Sequence, residues 1–176
     1  MKATIGISLV LMAALTLCGC TPQPASSPSG TRELGQAILE LGPGIDSAEA
    51  ARAASIAHDY SLQLAQEYRI TDPPVIHNAR VKNGLRDRGL SNHFAEDIRK
   101  RMDQEGFRTL ELHWAASLPK TFQIPHYTAV ISRRGDTVKD GIVLDPWRHG
   151  GILYWSRTGA DDKYDWAPLL EAREAY

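Results

Sequence analysis

GLSNHFAED (89–97), IPHYTAV (124–130) and GIVLDPW (141–147) are the three runs whose reading decides the fold. In the first, Phe94, Ile98 and Met102 recur every four residues with charges on the opposite face, which predicts a helix over 92–105 stopped by Gly106. The second run predicts a strand over 126–132, and Arg133 to Asp136 turns the chain into a third-run strand over 141–145. Between helix and strands, TLELHWA (109–115) alternates, with Leu110, Leu112 and Trp114 facing one way and Glu111 and His113 the other. GILYW (151–155) predicts a fourth strand, and a helix near 168–175 closes the domain. Helices first and an antiparallel sheet after them make an α+β architecture.

Working back from Gly89, a short helix over 34–41 is expected to stop at Gly42-Pro43-Gly44. Ser47 is expected to cap a longer helix running to about Tyr68, with an apolar stripe of Ile56, Tyr60, Leu64 and Tyr68 and an alanine-rich start. Asp72-Pro73-Pro74 is read as a breaker opening an irregular segment to Leu90. That segment carries Arg80, Lys82, Arg86 and Arg88 against Asp87 alone, mostly as a solvated loop that could meet an anionic partner.

At the N-terminus, Lys2 precedes an uncharged run from Ile5 to Leu17, too short to span a bilayer and suited to a secretory signal. The run ends in LCGC (17–20), which resembles a bacterial lipobox with Cys20 as the lipidated residue. This divides the chain into a signal peptide (1–19), a Pro- and Ser-rich tether (20–32) and one domain (33–176). The resemblance implies a lipid anchor in the cell envelope, with Thr21 favouring the outer membrane facing the periplasm. No cysteine follows Cys20, so a processed chain has no disulfide and relies on packing. A formal net charge of −1 argues against a nucleic-acid partner.

The order of the three runs, with 35 residues from Ser91 to His126 and 19 from His126 to Asp145, resembles the core of transglutaminase-like and papain-like proteins. PHYTAV resembles their histidine strand and LDPW their acid-bearing strand. The resemblance covers roughly residues 80–155. It implies a nucleophile at Ser91, a general base at His126 and an orienting acid at Asp145. The departure lies in the nucleophile, because the family's position holds a thiol. A thiol at a helix start is held as a thiolate by its histidine; a hydroxyl must instead give up its proton during attack. Serine is also a good helix cap, worth on the order of 1 kcal/mol without any catalysis.

His93 is read as a surface residue and His113 as a candidate for the cleft lining, while Trp114, Trp147, Tyr154 and Trp155 are read as core or cleft wall. No HExxH, CxxC or Gly-rich phosphate loop appears, so no metal and no cofactor are expected. Two functional readings follow. One is a binding or assembly module on a catalytically impaired scaffold, with peptidoglycan or an envelope protein as partner. The other is an amide-bond hydrolase or acyltransferase using Ser91, His126 and Asp145.

Overall fold

The computed structural model describes residues 28–117 and 125–170. Four helices precede the sheet: α1 (Pro28–Leu39), α2 (Ser47–Glu67), α3 (Pro74–Lys82) and α4 (Ser91–Asp103). The strands are β1 (Leu110–Ser117), β2 (His126–Arg133), β3 (Ile142–His149), β4 (Ile152–Arg157) and β5 (Ala167–Pro168). They form one antiparallel sheet in the order β4-β3-β2-β1-β5. The α+β layering expected from the sequence is present.

Strand alternation builds two cores. Leu110, Ala129, Ile131, Ile142 and Leu144 face the helices and pack with Leu34, Ile38, Leu64, Phe94, Ile98 and Met102. The opposite face carries a smaller cluster of Ala115, Val130, Val138, Val143 and Trp166. Glu49 joins the two layers from α2: its carboxylate accepts the backbone N–H groups of Arg108 and Thr109, each at 2.9 Å, and the Thr109 hydroxyl at 2.6 Å. Burial alone would raise the Glu49 pKa, but these donors outweigh it and hold it at about 2.

Several local expectations are corrected. The N-cap of α2 is Asp46, whose Oδ1 accepts from Ala48 and Glu49, so Ser47 is the first helical residue. The buried face of α2 is Ala50, Ala53, Ala54, Ala57 and Leu64, while Ile56 and Tyr60 are half-buried. Small side chains let α1 approach there, and the longer ones cover the rim. Helix α1 begins at Pro28, inside the stretch read as tether. Pro73-Pro74 opens α3 rather than an irregular run, because proline at the first helical position gives up no intrahelical hydrogen bond. Ala167 and Pro168 pair with β1, and the helix expected from about 168 is present in the described residues at Leu169 and Leu170. The signal segment, Cys20 and most of the tether lie outside the described residues, as do 171–176 of the expected last helix.

Candidate active site

The turn into α4 sets the first side chain. Gly89 has φ +119°, and a Cβ there would lie 2.3 Å from Nε2 of the fully buried His77, so glycine is required. His77 donates from that nitrogen to the Arg88 carbonyl at 2.9 Å, fixing the approach. Leu90 is the N-cap of α4, and Ser91 is its first helical residue. The cap is supplied from inside the helix, where His93 Nδ1 accepts from the backbone N–H groups of Gly89 (3.1 Å) and Leu90 (3.4 Å). His93 is thus part of the helix start rather than a surface residue. Ser91, for its part, does not cap the helix; its Oγ accepts instead from the backbone N–H of Tyr127 at 3.4 Å, a long contact.

Register sets the other two. Ala129 pairs with Leu144, which puts Thr128 opposite Asp145 and His126 two residues further along on the same face. The ladder stops there, and the Thr128 hydroxyl donates to the Leu144 carbonyl at 2.8 Å as the strands part. Into that gap His126 Nε2 donates to Asp145 Oδ2 at 2.7 Å, both residues buried. A carboxylate accepts only, so Nε2 carries the proton and Nδ1 of the neutral ring is the basic nitrogen. The ring is wedged among Tyr164, Trp147 and Trp166, with centroids 4.4, 4.7 and 5.3 Å away. Asp145 does not begin a turn; β3 continues through it to His149, with an irregularity in its pairing to β4.

The acid has a second partner that the sequence did not single out. Arg148 Nε donates to Asp145 Oδ2 at 3.0 Å, and its NH1 and NH2 grip Asp161 at 3.2 and 2.6 Å. Its guanidinium lies over Tyr154 at 3.7 Å and Tyr164 at 4.8 Å. Burial would raise the Asp145 pKa, but His126 and Arg148 together hold it below the ordinary carboxylate range. Asp161 behaves alike: burial pushes up, while Arg148 and the Trp166 indole N–H, donating at 2.8 Å, bring it down.

Ser91 and His126 open onto one cleft of about 420 Å³, walled by Val75, Leu90, Tyr127, Trp147 and Tyr164. Among the described residues no hydrogen bond joins Ser91 to the His126 ring. Asn78, from α3, was also missed in the sequence. It is buried, and its Oδ1 accepts from the Trp147 indole at 3.0 Å. Indole donates only, so that bond fixes the amide's orientation and leaves Nδ2 as the remaining donor of a residue that lines the cleft. Nδ2 and the unpaired first N–H groups of α4 are the groups available to an oxyanion.

His113 is not in the cleft; it pairs with Ser132 Oγ at 2.8 Å further along the sheet. Of the basic segment, Arg80 is bound to Asp72 and Arg88 to Asp97, so neither is a free cation. Among the described residues, no group of three or more His, Cys, Asp or Glu side chains could hold a metal. No family model, curated protein or solved structure matches this chain, and the site is read from its own geometry.

Proposed function

We propose that the chain is an envelope lipoprotein whose transglutaminase-like domain binds an amide-containing ligand in the Ser91–His126 cleft, with its catalytic power impaired. The observation that carries this reading is the state of Ser91. Its oxygen accepts a backbone N–H from Tyr127, while His126 is engaged with Asp145 and not with the serine. A hydroxyl without contact to its base stays protonated and a poor nucleophile. A thiol in its place would gain from the helix start and the imidazole even so.

A second reading is favoured by one observation, the intact His126–Asp145 pair with Asn78 lining the same cleft. In it, Ser91 Oγ attacks the acyl carbon as its proton passes to His126 Nδ1. The carbonyl oxygen becomes an oxyanion met by Asn78 and the α4 N–H groups. The C–N bond then breaks, the proton goes to the leaving amine, and water releases the acyl group.

Labelling with a fluorophosphonate separates the two. The binding reading expects no adduct at Ser91 beyond that of an unactivated serine. Stoichiometric labelling that disappears in both Ser91→Ala and His126→Ala would overturn it in favour of the hydrolase.

A further inference from the structure

The charge of the cleft narrows its ligand. Two of its described lining residues carry formal charge, Lys82 at the C-terminal end of α3 and Lys163 in the segment before β5, and no Asp or Glu is among them. Several cations outside the cleft are matched: Arg52 with Glu105, Arg80 with Asp72, Arg88 with Asp97, Arg133 with Asp136 and Arg148 with Asp161. Neither cleft lysine forms an ion pair among the described residues. Lys163 instead extends over the Tyr164 ring at 5.4 Å. Two ammonium groups left unmatched at the rim of a largely apolar, partly enclosed cleft raise the local concentration of anions and discriminate against cations.

The position of Lys163 is fixed, not incidental. Its backbone N–H donates to Asp161 Oδ1 at 3.2 Å, and Asp161 is gripped by Arg148 and Trp166. The buried cation that holds the acid Asp145 therefore also holds the segment that presents Lys163. Asn78, one helical turn before Lys82 on α3, holds the opposite wall through Trp147.

We propose that the ligand of this cleft is a short acidic peptide or acyl-amide, its carboxylate met by Lys82 and Lys163 while its apolar part lies against Trp147, Val75 and Leu90. This rests on the reading of the cleft as a ligand site and adds the ligand's charge. It does not depend on turnover at Ser91.

The test compares N-succinyl-dialanine methylamide with N-propionyl-dialanine methylamide, identical but for one carboxylate, by calorimetric titration of the detergent-solubilised full chain. The expected result is about tenfold tighter binding of the succinyl compound at low salt, two partly exposed charge contacts each contributing a few-fold. The advantage shrinks in 0.5 M salt. Lys82→Met with Lys163→Met reduces it below about twofold, while Lys139→Met, outside this cleft, leaves it intact. Both cleft lysines are exposed, so the double variant should melt with the wild type. Equal binding of the two compounds, or a preference that survives the double variant, overturns the inference and leaves the ligand-site reading standing. Failure of both compounds to bind at millimolar concentration overturns both.

Discussion

His126 and Arg148 meet at a single atom: both donate to Asp145 Oδ2, at 2.7 and 3.0 Å. The acid of the site is therefore shared between the imidazole and a buried guanidinium that also neutralises Asp161. Removing the guanidinium strands two buried carboxylates. Arg148→Met should cost about 3–5 kcal/mol, the usual penalty for breaking a buried ion pair from one side. Arg148→Lys should fall between, since it keeps the charge and loses the fork. Thermal unfolding reads this directly, and a melting point for Arg148→Met within a degree or two of wild type would refute it.

Introducing a thiol tests the proposed kinship of the site. Ser91 makes no cap hydrogen bond, so Ser91→Cys should change stability by less than about 1 kcal/mol. The new thiol should react with iodoacetamide at pH 6 well ahead of a free cysteine, whose pKa is about 8.5. Adding His126→Ala should remove the advantage. A thiol that titrates as an ordinary cysteine in both backgrounds would make the arrangement structural only.

The glycine before the helix is predicted to be irreplaceable. Gly89→Ala forces an L side chain into φ +119° and against His77, at a cost on the order of 2–4 kcal/mol. Gly44→Ala, also at positive φ but with open space around its Cβ position, should cost less. Equal urea midpoints for the two variants would contradict this account.

Acid should destabilise the domain in two steps. Burial lowers the His58 and His93 pKa values from the ordinary 6.5, and His93 Nδ1 must stay unprotonated to cap α4. For both groups the folded pKa lies below the unfolded one. Their contribution is complete above pH 6.5 and is lost as the pH falls below it. Glu49, at about 2 when folded against 4.5, contributes fully above pH 4.5 and is lost as the pH approaches 2. Unfolding free energy measured from pH 8 to 3 should show both declines. His58→Gln should flatten the first and Glu49→Gln the second, and unchanged slopes would rule out these groups.

The anchor is tested separately. Cys20→Ser should leave a folded domain that no longer sediments with membranes, because residues Leu34 to Leu153 already supply an extensive buried core. Retention on membranes after a high-salt wash would point to another means of attachment.

What was legible in the sequence followed from periodicity. The alternation in 126–132 and 141–145, joined by a short turn, placed His126 and Asp145 on adjacent strands, while their meeting was implied only by the family resemblance. The four-residue spacing of Phe94, Ile98 and Met102 placed Ser91 at a helix start. What was not legible depends on contacts between residues far apart. Asn78 sits in a helix hidden behind two prolines, and its role depends on Trp147, 69 residues away. Arg148 follows the LDPW run directly, but nothing in the chain announces that its other partner is Asp161. The capping role of His93 reverses the usual direction, with a side chain inside the helix serving the residues before it. Strand β5, of two residues, is too short for alternation to register.

The segment that presents Lys163 and Tyr164 is fastened through Asp161 to the same arginine that fastens the acid. Under the proposed reading of the cleft, descendants of this chain are therefore not free to retune ligand choice and reactivity one at a time. A change at Asp161 or Arg148 moves both, whereas the tips of Lys82 and Lys163 can vary alone. Divergence in specificity should accumulate at those two exposed tips, and the buried clasp beneath them should drift slowly or be lost whole.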